Sequence, residues 1–234
     1  MVEIRSSEKI EQNKREEPSN NHIMNESMHP INIFVHVVSG TIALLTGCIA
    51  LGVKKNSLFH KRFGNYFMVS IMIVVATGIL GVLVFKRNSF LLLITLLSFY
   101  QAYSGYRMVK EKSNTFYGID FGIQLVVIST AIYFWKYLLA KEDQMWSPII
   151  IYSTLSYLFL VIFYDWIRYR FPKHWYTSLW RYEHMAKMIG ALSAISSAFL
   201  GTILPDYQPF SQLTPSVLGC LLMLIMGLRI QKTQ

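Results

Sequence analysis

Between Ile31 and Val53 the chain runs 23 residues without a charged side chain, and between Phe63 and Phe85 it does so again. A helix rises 1.5 Å per residue, so about 20 residues cross a hydrocarbon core of roughly 30 Å. Lipid offers no hydrogen bonds to an exposed backbone, so runs of this length must become helices that satisfy themselves. Five further segments are long and apolar, although most carry a charged residue: residues 88–106, 116–139, 145–167, 182–204 and 215–230, the last the shortest. The sequence therefore predicts an all-α fold, an integral membrane bundle of about seven transmembrane helices lying in a lipid bilayer. Composition agrees, with 53% hydrophobic and 15% charged residues and a mean hydropathy of +0.36.

Residues 1–30 are polar, mixed in charge and without an apolar core, which predicts a disordered tail with no signal peptide. Residues 231–234 form a short C-terminal tail. The net charge of +9 does not point to nucleic acid, because the basic residues are clustered between apolar runs. Thirteen Lys and Arg flank the spans on one side of the predicted bundle and four on the other, so the positive-inside rule expects a multi-pass protein of the cell membrane, its N-terminus outside and its C-terminus in the cytoplasm. Cys48 and Cys220 lie in apolar runs and read as small core residues without a disulfide.

The segment from Trp180 to Leu204 carries Arg181, Glu183, His184 and Lys187 at its leading end, and ionisable groups in a span are functional-site candidates by default. With the spans drawn as above, His60, Tyr103, Asp120, Asp165 and His184 share one depth, at the cytoplasmic rim, with Lys187 one turn deeper. They are expected to line one polar pocket. His36 lies toward the opposite end and cannot easily join them. Local explanations compete: Asp120 in a first turn suits the helix dipole, and Asp165 with Arg168, or Glu183 with Lys187, has the spacing of an ion pair on one helix. The Gly, Ala and Ser residues of the same segment suit close helix packing.

Three stretches resemble a family of predicted bacterial multi-spanning membrane proteins that carry a domain of unknown function. They are His36-x-x-x-Gly40-x-x-Ala43-Leu44-x-x-Gly47, His60-Lys61-x-x-Gly64-x-x-Phe67, and His184-x-x-x-Met188-Ile189-Gly190-Ala191. The resemblance covers about residues 31–204 and implies the fold, the three histidines and a bacterial inner membrane, but no reaction. Asn65 departs from it where the family often has a basic residue.

No His-Glu-x-x-His, Gly-x-Ser-x-Gly or phosphate loop occurs. The leading expectation is a non-enzymatic small transporter, sensor or assembly factor, with its small-molecule ligand and oligomeric state unassigned. A b-type haem or quinone redox protein is the alternative, with His60 and His184 as the axial pair or, more generally, as metal ligands. A metal-dependent membrane hydrolase built on His60, His184, Asp120 and Asp165 ranks last.

Overall fold

The structure, a computed structural model, describes residues 20–85, 89–115, 117–139 and 147–232. Among them are seven α-helices and no strand: α1 Asn20–Gly52, α2 Leu58–Leu83, α3 Ser89–Glu111, α4 Gly118–Leu139, α5 Pro148–Ile167, α6 Leu179–Ile203 and α7 Phe210–Lys232. This is an all-α membrane bundle. Six of the helices are long and apolar enough to cross a bilayer, and α3 is the exception.

The exception has a physical reason. α3 packs on α2, α4, α5 and α6, and Leu93, Ala102 and Gln101 are each 0% exposed. A helix surrounded by other helices does not need an apolar exterior, so α3 can carry Tyr100, Gln101, Tyr103 and Ser104 without meeting lipid. α6 is its main neighbour and also touches α1 and α7. α7 is peripheral, with 11% of its most apolar stretch buried against 44% for α6.

Several boundaries differ from the sequence reading. α1 is helical from Asn20, inside the stretch read as tail, and its apolar portion starts at Met28. α3 runs on past Tyr106 to Glu111, and α7 begins at Phe210 and keeps Pro215 inside it. Pro215 lies one turn too late to be free of cost: a backbone N–H there would bond to the Ser211 carbonyl, and proline forgoes that bond. Residues 1–19 of the predicted tail, and the proposed span starts at Asn88, Phe116 and Met145, lie outside the described residues. Cys48 and Cys220 are exposed on the outside of the bundle, where lipid would meet them, and not in its core; both are free thiols.

Two glycines let the central helices approach. A Cβ on Gly190 would lie 1.9 Å from Gln101 Oε1, and one on Gly105 would lie 3.0 Å from the Lys187 Cβ. α1 and α2 form an antiparallel hairpin. Asn56, at φ 63°, turns the chain between them, and the Ser57 side chain caps α2 by accepting from the His60 N–H.

Candidate functional site

α5 ends in Asp165-Trp166-Ile167 and tightens into a 3-10 turn at Arg168–Arg170. Asn114, in the loop after α3, holds that turn by donating to Arg168 O at 3.2 Å and Phe171 O at 2.7 Å. The turn aims Asp165 and Arg168 into the bundle. They meet Glu183 and Lys187 of α6 there, and the four charges are between 2% and 5% exposed.

Asp165 is held from two helices, α6 and α3. Lys187 Nζ donates to its Oδ1 at 2.5 Å and the Tyr100 hydroxyl to its Oδ2 at 2.5 Å. The Tyr100 oxygen in turn accepts from Gln124 Nε2 at 3.1 Å, and Gln124 Oε1 accepts from Trp166 Nε1 at 2.7 Å. Glu183 is held as fully: Tyr164 and Tyr176 each donate to Oε1 at 2.6 Å, and Arg168 Nη1 to Oε2 at 3.0 Å. Two acids and two bases sum to zero charge. That balance is what makes their burial tolerable, since an uncompensated buried ion costs several kcal/mol. Burial, with the Glu183 carboxylate beside it, pushes the Tyr176 phenol well above its ordinary value.

Of the two local pairs suggested by spacing, Asp165–Arg168 is formed but is the longer of the two contacts Arg168 makes with a carboxylate, and Glu183–Lys187 is not formed. Arg168 stands 3.9 Å from Asp165 but 3.0 Å from Glu183. Lys187 pairs with Asp165, and no Glu183–Lys187 pair exists among the described residues.

Nearer the end of the bundle, Asp120 accepts from Tyr103 Oη at 2.9 Å and from Arg107 Nε and Nη2 at 3.1 and 3.2 Å. Arg107 Nη1 also reaches Glu111 Oε1 at 2.9 Å, and the Tyr117 hydroxyl reaches Glu111 Oε2 at 2.6 Å. Asp120 is thus bound to α3 by a fork of hydrogen bonds, which is more than a dipole preference requires. A cleft with room for about one water runs between this cluster and the inner one, lined by Tyr100, Tyr103, Arg107, Asp120, Asp165 and Arg168 among others.

His60 and His184 sit elsewhere at the same end. Their ring centres are 6.5 Å apart with planes at 88°. His60 Nδ1 lies 2.9 Å from Ala50 O, and His184 Nδ1 2.9 Å from Gly105 O. A carbonyl can only accept, so both imidazoles carry their proton on Nδ1 and, when neutral, leave the Nε2 lone pair unused. Lys55 completes this corner by donating to Ala50 O and Leu51 O, and burial pushes its ammonium below the ordinary lysine value.

Of the residues expected from sequence, Tyr103, Asp120 and Asp165 border one cleft, and Lys187 is bonded to the last. The two histidines lie beside each other, with nearly perpendicular rings, and are not among the residues that line that cleft. His36 is at the far end, its Nδ1 2.8 Å from Thr77 Oγ1; that hydroxyl donates to Ile73 O, so His36 is the donor to it. Sequence reasoning gave Arg168 and Glu183 local ion-pair roles, with Asp165 and Lys187, and it missed Tyr100, Gln124, Tyr164, Trp166 and Tyr176 as partners. Tyrosine and tryptophan read as interface residues by default. The legible signal was the number of ionisable groups at the mouths of two adjacent spans.

No protein-family model matches this chain, nor does any curated protein or any solved structure.

Proposed function

We propose that this integral membrane protein is a non-enzymatic small transporter that is coupled to protons and works through the Asp165–Lys187 pair. The observation that carries the reading is the position of Asp165. Its carboxylate is paired with a buried ammonium on one side and borders a water-sized cleft on the other. A carboxylate in that position has two states. Ionised, it holds Lys187; protonated from the cleft, it loses the attraction and leaves Lys187 to find water or an anion. Ionisable residues inside a bundle mark ion pathways and proton relays for this reason.

The loop asymmetry supports placing this end of the bundle in the cytoplasm, with the N-terminus outside and the C-terminus inside. Arg168 belongs to the buried network, and setting it aside leaves the asymmetry intact. The Arg107–Asp120 fork then stands between the cytoplasm and the inner pair.

The purified chain in proteoliposomes with a trapped pH dye tests the reading. Wild type dissipates an imposed proton gradient faster than empty vesicles, and Asp165→Asn does not. A wild-type protein that leaves the gradient untouched, with and without candidate solutes, overturns transport in favour of a static membrane scaffold.

A further inference from the structure

We propose that His60 and His184 form a second, separate site that binds a single soft monovalent metal ion, copper(I), between their Nε2 atoms. The site shares no side chain with the Asp165–Lys187 pair and stands or falls independently of the transport reading.

The first argument is the tautomer. Both imidazoles donate Nδ1–H to backbone carbonyls, Ala50 O at the end of α1 and Gly105 O in α3. This is the arrangement that orients a metal-binding histidine and raises the basicity of its other nitrogen. Both rings are fixed this way although they stand on different helices, with their centres 6.5 Å apart. Among the described residues neither Nε2 has a hydrogen-bond partner.

The second argument is distance. A metal about 2 Å from an imidazole nitrogen lies about 3 Å from the ring centre, so two ligands in line across one ion hold their centres about 6 Å apart. The rings stand 6.5 Å apart.

The identity of the ion follows from what surrounds it. No group of three or more His, Cys, Asp and Glu is placed to hold a metal among the described residues, so zinc, which takes four ligands, lacks its set. Copper(I) accepts two nitrogens in line. Lys55 Nζ donates to the same Ala50 carbonyl as His60 Nδ1, and the repulsion it exerts on an ion bound beside that ring doubles from a single to a double positive charge, while the desolvation cost of the ion rises with the charge squared. Both favour a monovalent ion.

The test is an anaerobic competition between the full-length protein in detergent and a chromogenic copper(I) chelator. Cys48 and Cys220 are replaced by alanine so that no thiol competes. This protein should withdraw one equivalent of copper. His60→Gln and His184→Gln keep an amide donor for the backbone carbonyl; each should withdraw none while eluting as the parent does, and His36→Gln should still withdraw one. If the histidine variants fail to fold, X-ray absorption of the copper-loaded parent decides, with nitrogen ligation in a two-coordinate geometry expected. Copper left on the chelator by the parent, copper retained by His184→Gln, sulfur-only ligation, or a Soret band showing haem in the purified protein would each overturn the proposal.

Discussion

Lys187 of α6 bonds to Asp165 of α5 at 2.5 Å and not to Glu183, the residue one turn before it on its own helix. The choice between a neighbour in sequence and a neighbour in space was settled by the 3-10 turn after α5, which delivers Arg168 to Glu183 and so leaves Lys187 for Asp165. Removing one partner of such a pair leaves a buried ion alone. Asp165→Asn should therefore destabilise the folded protein by about 3–5 kcal/mol, and adding Lys187→Gln should recover much of the loss. Unfolding in mixed micelles measures both, and a double variant no better than the single would show that the pair is not coupled.

The same logic separates inner from outer carboxylates. Glu183 answers a buried arginine and two tyrosine hydroxyls, so Glu183→Gln is expected to cost about 3–5 kcal/mol. Glu111, whose side chain is 26% exposed, pairs with Arg107 at the rim, and Glu111→Gln should cost at most about 1 kcal/mol. Equal losses in the two variants would refute the distinction drawn between the clusters.

The seven-helix plan was legible because apolar runs and their basic connections are written in sequence. The boundaries of α3 and α7 were less so. Arg107, Lys110 and Glu111 lie past the span expected at 88–106, yet Arg107 and Glu111 extend α3 by pairing one turn apart. Pro215 reads as a helix start but sits in the second turn of α7. The partners of the polar groups were the least legible. Asp165 could be singled out from its depth, but whether it met Arg168 or Lys187 depended on how α5 ends, and nothing local to Asp165 encodes the hold of Asn114 on that turn.

Tyr176 ties stability to alkaline pH. Its folded-state phenol is raised by burial and by Glu183, whereas an unfolded tyrosine ionises near pH 10. The stabilisation is therefore fully present below about pH 10 and is lost as pH climbs above that value, where only the unfolded chain gives up the proton. Unfolding measured between neutral pH and about pH 11.5 should show a fall that Tyr176→Phe reduces; an unchanged slope in the variant would place the sensitivity elsewhere.

Gly190 and Gly64 should respond in opposite ways to alanine. A Cβ at Gly190 would collide with Gln101 and come within 2.9 Å of the Tyr157 hydroxyl, while nothing lies within 4 Å of one at Gly64. Gly190→Ala is expected to destabilise by about 1–3 kcal/mol through overpacking, and Gly64→Ala to be neutral or to gain up to about 1 kcal/mol from helix propensity. Thermal unfolding of the two variants side by side checks this, and a tolerated Gly190→Ala would mean that α3 and α6 do not meet as closely as described.

Proton flux through the neutral double variant Asp165→Asn/Lys187→Gln tests the central claim most directly, because that protein removes both charges together and leaves no lone ion to unfold it. Reconstituted beside wild type at matched protein and with matched unfolding midpoints, it should show no flux above empty vesicles while wild type dissipates the gradient. Flux in the double variant equal to wild type would contradict the assignment of Asp165 and Lys187 as the working pair.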